Sequence, residues 1–218
     1  MTNHLNGIVF INMDVSHPIR SAIPTLDAPV LEVLAGTTRG LSGREIHRLA
    51  KSGSLTGVQL VLARMVAHGL VSAEEHPSVT LYAANREHLA WPAIEELAGI
   101  RARLLGRIRE AVAAWPVAPL HVSLFGSAAR RDGDAESDID VLIVRPDGVG
   151  DDDEAWESQV GALRAAVGSW TGNRCQSFVI DRVRLAAHLD AKDPLVENWL
   201  RDEVLIVGER LEAIIETL

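Results

Sequence analysis

GSAARRDGDAESDIDVLIV, residues 126–144, ends in an apolar run that has two aspartates, Asp138 and Asp140, at its start. Side chains alternate between the two faces of a β-strand, so both carboxylates point to one face while Ile139 and Val141 turn to the other. Two unpaired carboxylates on one face repel each other, and such a pair usually binds a cation or has one strongly shifted pKa. The spacing therefore predicts a site for a divalent metal ion.

A Gly-Ser turn precedes these aspartates. Gly126 and Ser127 fall where a predicted strand, LHVSLF, ends and a short helical turn begins. Backbone N–H groups are free at such a position and can point at a phosphate, and the hydroxyl of Ser127 adds to them. The alternative is an ordinary turn with Asp138 flanking a strand, and either motif alone would favour it. Together, a metal site and a phosphate cradle indicate nucleotide chemistry.

The two motifs resemble the Gly-Ser and Asp-x-Asp signature of the DNA polymerase β-like nucleotidyltransferases, which include the minimal nucleotidyltransferases of bacteria. FGSAAR followed by SDIDVLIV carries the resemblance, which covers about residues 118–190. It implies nucleotide binding by Gly126, Ser127 and Arg130, and metal binding and catalysis by Asp138 and Asp140. In the family, Mg²⁺ (or Mn²⁺) bridges the triphosphate of an NTP and activates an acceptor hydroxyl for attack on the α-phosphorus, with pyrophosphate leaving.

A third carboxylate is missing from this pattern. Family members that catalyse usually bring it from a later strand, as a metal ligand or as a base. The matching strand is RCQSFVI, and residues 174–180 contain no acid. Gln176 could orient a nucleotide or a water molecule but could not serve as a base. Asp181 follows the strand, and the sequence DRVRLAAHL predicts that it is a helix N-cap.

Strands and helices alternate through the C-terminal half of the chain. LHVSLF, DIDVLIV and RCQSFVI are the predicted strands, and WESQVGALRAAVGSW and RVRLAAHL are predicted helices. Such alternation predicts an α/β (or α+β) fold. The resemblance implies a polymerase β-like domain over residues 116–218, with a mixed sheet, flanking helices and further C-terminal helices.

Three short helices and a β-hairpin are predicted over residues 26–86. The helices are APVLEVLAG, SGREIHRLAK and SLTGVQLVLARMVAHGL, and the second has Ser42 as N-cap and Glu45 at the third helical position, which makes a capping box. LVSAEE and VTLYAAN alternate as hairpin strands do. This order of elements resembles the winged helix-turn-helix domains of bacterial regulators, and among them the MarR-like group has the most similar sequence pattern.

In such domains the third helix enters the major groove of DNA. Here that helix offers Thr56, Gln59 and Arg64 as polar contacts. Readout of bases and phosphates usually uses several Arg or Lys side chains. A winged helix that binds protein or a second copy of itself is therefore the alternative to DNA binding.

Two further segments complete the predicted organisation. Residues 1–25 lack clear periodicity and contain two prolines, which predicts an N-terminal arm. Residues 87–115 have apolar side chains at every third or fourth position, which predicts one long connecting helix that ends before Pro116.

The composition limits the classes of function. The 218 residues are 47% hydrophobic, which suffices for two small domains. A net charge of −9 and a pI near 5.3 argue against holding nucleic acid by bulk charge. The single Cys175 lies in an apolar run, which predicts a buried, reduced thiol. No signal peptide or membrane span is recognisable, so a cytoplasmic protein is expected.

The sequence predicts a nucleotidyltransferase that moves a nucleoside monophosphate from an NTP to a hydroxyl of a protein, an RNA or a small molecule. The alternative is a DNA-binding transcriptional regulator whose nucleotide-binding domain has lost turnover. A scaffolding or antitoxin-like partner is the third possibility. The exposed arm and the long helix make a homodimer plausible.

Overall fold

The computed structural model describes residues 12–218 and the backbone of two short antiparallel strands, β1 (Asn3–Leu5) and β2 (Ile8–Phe10). The chain divides into two compact units. The N-terminal unit spans His17–Arg101, and the C-terminal unit spans Ala102–Leu218 together with the described residues before His17. Within the described part of the chain, no helix combines the length and the apolar character needed to cross a membrane.

The N-terminal unit packs helices against a small antiparallel sheet. Its elements are α1 (Ile19–Ala22), α2 (Asp27–Ala35), β3 (Leu41–Ser42), α3 (Gly43–Ala50), α4 (Leu55–Ala67), β4 (Val71–His76), β5 (Val79–Ala84) and α5 (Trp91–Ala98). The strand order is β3-β5-β4. The three predicted helices and the hairpin are present. The capping box is confirmed, with the Glu45 backbone N–H donating to Ser42 Oγ and the Ser42 backbone N–H donating to the Glu45 carboxylate.

The predicted connecting helix is two helices. Helix α5 ends at Ala98, Gly99 is its C-cap, and α6 (Ile100–Ala113) follows. The apolar stripe that predicted one helix is real, but its halves belong to different cores. Trp91 and Ile94 pack in the core of the N-terminal unit, whereas Leu104, Ile108 and Val112 pack in that of the C-terminal unit. Glycine lowers helix propensity, so a break at Gly99 costs little.

The predicted N-terminal arm also differs from the structure. Residues 1, 2, 6, 7 and 11 lie outside the described residues. Val15 is buried in the core of the C-terminal unit, and Ile19–Ala22 form α1, whose Ile19 is buried in the core of the N-terminal unit. Short apolar segments without a helical or strand period do not indicate which surface of the protein they pack against.

The C-terminal unit is a four-stranded mixed sheet with helices. After α6 its elements are β6 (His121–Phe125), α7 (Gly126–Arg130), β7 (Ile139–Val144), α8 (Glu154–Thr171), β8 (Cys175–Ile180), α9 (Arg182–Asp190), α10 (Pro194–Asp202), β9 (Val204–Gly208) and α11 (Leu211–Ile215). The strand order is β8-β7-β6-β9. Strands β7 and β8 are parallel, and β6 pairs antiparallel with both β7 and β9. The expected mixed sheet with flanking helices is confirmed.

Strand β7 is buried on both faces. Ile139, Val141 and Ile143 pack in one core with residues of α6 and α8, while Leu142 and Val144 pack in a second core with residues of α9, α10 and α11. Asp140 is therefore the polar exception in a strand that is otherwise fully apolar.

A buried asparagine braces the chain that leads into β7. Asn173, which is 0% exposed, donates from Nδ2 to the carbonyl oxygens of Ala135 and Ser137 at 3.2 and 3.1 Å. Its Oδ1 accepts from the backbone N–H of Met13 at 3.0 Å. Buried amides satisfied in this way order the backbone around them. Asn173 thereby restrains the loop immediately before Asp138.

Candidate functional site

Asp138 and Asp140 lie at the start of strand β7. Asp138 directly precedes β7 and Asp140 is its second residue. Because Ile139 and Val141 are buried in the core on one side of the sheet, the Asp140 carboxylate lies on the other side. Gln176 is the parallel-register partner of Asp140, and its Nε2 donates to the Asp138 carboxylate. The two aspartates lie on one side of the sheet, as their alternation predicted, and Gln176 joins them there through this hydrogen bond.

Gly126 brings the Gly-Ser turn against this cluster. Phe125, the last residue of β6, pairs with Asp140, and Gly126 opens α7 directly afterwards. Gly126 has φ +70, and a Cβ placed on it would lie 2.5 Å from Asp140 Oδ2. Both the positive φ and the close approach require glycine. The structure thus places the backbone of the predicted phosphate-binding turn directly beside the predicted metal ligand.

The Asp140 carboxylate lies where the protein disfavours its charge. Burial raises the pKa of the Asp140 carboxyl above its ordinary value, and the neighbouring charge of Asp138 raises it further. Arg130 acts in the opposite direction but does not compensate. A divalent ion held by both carboxylates would remove this penalty, because an opposite charge favours the ionised form.

In the part of the chain that the structure describes, no third acid is placed with the two aspartates. Asp181 caps α9, where it accepts from the Arg184 backbone N–H at 2.8 Å and from Arg145 at 2.8 Å. Ile180, the residue before Asp181, pairs with Val144. Val144 is four residues beyond Asp140 along β7, which places it about 13 Å from Asp140 at the usual rise of a strand. The predicted cap is confirmed, and the residue of β8 that lies beside the two aspartates is Gln176. Among the described residues, no group of three His, Cys, Asp or Glu side chains is placed to hold a metal.

Arg130 is held by two carboxylates. Its Nε donates to Asp132 at 2.9 Å and its Nη1 donates to Asp202. Asp202 is the last residue of α10 and lies 72 residues from Arg130 in sequence, and sequence analysis did not find it. No local pattern marks Asp202, because its importance comes from the packing of α10 beside α7.

The close packing of a second glycine was also not predicted from the sequence. Gly133, in the loop between α7 and β7, packs so closely that an added Cβ would lie 3.0 Å from Ser127 Oγ and 2.9 Å from Ser137 Oγ. Its backbone N–H donates to Ser16 Oγ at 3.1 Å. In the sequence, Gly133 lies within the polar segment DGDAES, which is typical of a loop. In the structure this loop packs beside the Ser127 side chain.

Cys175 is the register partner of Ile139 and lies next to Gln176. Burial raises the pKa of its thiol to about 12, so the thiol is protonated at neutral pH. A protonated thiol is neither a good nucleophile nor a metal ligand. The prediction of a buried, unpaired cysteine is confirmed.

The predicted DNA contacts lie on α4 of the N-terminal unit. Thr56, Gln59 and Arg64 are all exposed. Arg64 is engaged, because its Nη2 pairs with the Asp27 carboxylate at the start of α2. Burial opposes the charge of Asp27, but the hydrogen bonds from Thr25 and Arg64 outweigh it and hold the pKa of Asp27 below its ordinary value. The structure therefore does not present Arg64 as a free cation.

Comparison with known proteins finds a family match within the C-terminal unit. Residues 105–183 match the sequence model of the family described as the nucleotidyltransferase domain. The chain therefore carries a nucleotidyltransferase domain over these residues, which include all five predicted nucleotide and metal residues. No curated protein matches the chain.

Two solved structures resemble parts of the chain. One is a toxin–antitoxin crystal structure with AMP-PNP, which is 16% identical, covers 52% of this chain and 85% of its own, and has a TM-score of 0.35. The other is a nucleotidyltransferase candidate from Sulfolobus solfataricus, which is 23% identical, covers 50% of this chain and 83% of its own, and has a TM-score of 0.27.

The raised pKa of Asp140 predicts how stability depends on its charge. Folding disfavours the ionised carboxyl, so the penalty is absent below the pKa of the unfolded chain and is full above the pKa in the fold. We expect Asp140→Asn to raise the melting temperature at pH 7.5 without divalent ions, on the order of 2–4 °C. The gain should shrink as the pH falls towards 4, because wild-type Asp140 then becomes protonated.

Differential scanning calorimetry between pH 4 and pH 8 measures this difference. Asp152→Asn, which removes an exposed carboxylate far from the cluster in sequence, is the matched control and should change the melting temperature little. A melting temperature for Asp140→Asn at or below that of the wild type at pH 7.5 would contradict the prediction.

Proposed function

We propose that the C-terminal unit is a nucleotidyltransferase that moves a nucleoside monophosphate from an NTP to an acceptor hydroxyl, with Mg²⁺ or Mn²⁺ at Asp138 and Asp140. The observation that carries this proposal is the contact between Gly126 and Asp140, since an added Cβ would lie 2.5 Å from the carboxylate. A phosphate on the Gly-Ser turn would lie beside the two carboxylates. The match of residues 105–183 to the nucleotidyltransferase domain supports the same assignment.

The two aspartates fit a magnesium ion. Mg²⁺ is commonly bound by one or two carboxylates together with substrate phosphates and water, so a third protein ligand is not required for binding. Asp138 and Asp140 are both partly exposed, which leaves them open to a nucleotide. When bound, the ion would supply charge neutralisation of the triphosphate and activation of the acceptor hydroxyl.

The side chains around the aspartates have distinct proposed roles. The absence of a side chain at Gly126 lets a phosphate approach the backbone. Ser127 and Arg130 are three residues apart on α7, so both side chains lie on one side of the helix and can donate to the same phosphates. Gln176 holds the Asp138 carboxylate by a hydrogen bond and restrains it for metal binding. The proposed place of action is the cytoplasm, where a lone thiol such as that of Cys175 stays reduced.

We expect Asp138→Asn and Asp140→Asn each to weaken binding of an NTP in the presence of Mn²⁺ by at least about tenfold, because each removes a charged ligand. Isothermal titration calorimetry with and without EDTA measures the metal-dependent part. Asp181→Asn is the matched control: asparagine caps helices about as well as aspartate, and Asp181 lies at the other end of the strands. Unchanged metal-dependent affinity in either of the first two variants would refute the metal assignment.

The amide side chain of Gln176 affects the expected rate of nucleotide transfer. An amide in register with Asp140 cannot accept a proton from the acceptor hydroxyl, so we propose that transfer by the wild type is slow. This observation also supports a second candidate function, a regulator whose nucleotidyltransferase domain binds nucleotide without turnover. The two candidates share the same nucleotide site, and at that site they differ in whether a product forms.

We expect Gln176→Glu to supply the missing acid. The variant should tighten Mn²⁺ binding by about tenfold or more and increase the transfer of label from an NTP labelled at the α-phosphate to acceptors in cell extract. Gln176→Ala, which removes the hydrogen bond to Asp138 without adding charge, is the control and should show neither gain. If Gln176→Glu binds Mn²⁺ no better than the wild type, Gln176 does not occupy the third ligand position.

For the N-terminal unit we infer a winged helix, since three helices are followed by the β4–β5 hairpin. In that arrangement Thr56, Gln59 and Arg64 would contact DNA. Two observations weaken the DNA proposal. Arg64 is paired with Asp27, and the hairpin carries the exposed carboxylates of Glu74 and Glu75 where a DNA backbone would approach. A DNA-binding regulator is therefore the second candidate, after the enzyme.

If the N-terminal unit reads DNA, binding to a fluorescent duplex should weaken steeply with salt and fall further in Arg64→Ala. Asp27→Asn is the informative companion, because it releases Arg64 from its ion pair and should tighten binding. Fluorescence anisotropy at several salt concentrations measures both effects. Salt-insensitive association, or no association with duplex DNA, would instead favour a protein partner for this unit.

A further inference from the structure

Asp202 is a buried carboxylate shared by two arginines. Its side chain is 1% exposed. Arg130 donates from Nη1 to one carboxylate oxygen, and the neighbouring Arg201 donates from Nε to the other at 2.9 Å. Burial opposes the charge of Asp202, but the hydrogen bonds from Arg201 and Arg130 outweigh it and hold its pKa below the ordinary value. Asp202 is therefore ionised at neutral pH.

The shared carboxylate places two guanidinium groups side by side. Arg130 is 39% exposed and Arg201 is 61% exposed, so both present their outer surfaces to solvent. Arg201 is further fixed by donating to Asn198 Oδ1 at 2.8 Å. Two adjacent positive charges repel each other at the surface, and a buried anion between them offsets that repulsion. Arg130 is also on the same helix as Gly126 and Ser127.

The second partner of Arg130 is of a different kind. Asp132 bonds Arg130 Nε at 2.9 Å, but its side chain is 56% exposed. Exposed ion pairs contribute little to stability, so a phosphate oxygen can replace the Asp132 carboxylate at low cost. Asp202 cannot be displaced in this way because it is buried. Arg130 thus has one permanent partner and one exchangeable partner.

We propose that Asp202 is a positioning residue that presents Arg130 and Arg201 together as a two-arginine clamp for the polyphosphate of the nucleotide, with Asp132 occupying Arg130 until the phosphates replace it. Guanidinium groups suit this role because they bind phosphate oxygens in pairs. The inference rests on the proposed function for the nature of the ligand. It adds two residues, Arg201 and Asp202, that lie beyond the Gly-Ser and Asp-x-Asp motifs.

Metal-free inorganic triphosphate is the probe, because it tests the clamp without Asp138 and Asp140. By isothermal titration calorimetry, Arg201→Gln and Asp202→Asn should each weaken triphosphate binding by about tenfold or more. Arg201→Lys should lose less than Arg201→Gln, because it keeps the charge but not the paired donors. Asp132→Asn should tighten binding severalfold. Arg184→Gln, which removes an exposed arginine paired at the other end of β8, is the control and should bind as the wild type does.

A structural role alone would leave the Asp132 and Arg201 variants, both at exposed side chains, without effect on affinity. If Asp202→Asn fails to fold, as its melting curve would show, those variants decide the matter. Wild-type triphosphate affinity in Arg201→Gln, or no triphosphate binding by the wild-type protein, would overturn the clamp. If instead triphosphate binding behaves as expected while Asp138→Asn and Asp140→Asn keep full metal-dependent NTP binding, the clamp stands and the proposed metal site fails.

Discussion

The register of strand β7 is the constraint on which the candidate site depends. Its alternate residues are buried in two separate cores, so a shift by one residue would place Asp140 in the core that holds Ile139 and Val141. The same register sets Asp140 between Phe125 on one neighbouring strand and Gln176 on the other. Hydrophobic burial over the length of the strand therefore holds a charged group at a defined place near its start.

That placement has a cost that fits a binding site. Asp140 is only partly exposed, its charge is disfavoured by burial and by Asp138, and Arg130 offsets only part of this effect. Arg130 is itself committed to Asp132 and Asp202. The proposed metal site accounts for this penalty, because a cation held by both carboxylates would offset it.

The site is completed from distant parts of the chain. Met13 and Ser16 brace the loop before Asp138 through Asn173 and Gly133, and α10 brings Asp202 to Arg130 from the far side of the sequence. Strand β9 extends the sheet beside β6. The matched nucleotidyltransferase domain, residues 105–183, contains the motifs but neither the N-terminal brace nor Asp202. Part of the surroundings of the motif residues thus lies outside the segment that matches the family model.

By itself, the sequence determined the elements that local physics controls. The alternation in DIDVLIV predicted the strand and its paired carboxylates, Ser42 and Glu45 predicted a helix start, and the position of Asp181 predicted its cap. These follow from side-chain periodicity and from hydrogen bonds within a few residues. Only the tertiary structure decided that the connecting helix breaks at Gly99, that Gln176 lies beside the aspartates, and that Asp202 holds Arg130. Each of these depends on which distant surfaces pack together, and residues far apart in the chain carry no local pattern that records their contact.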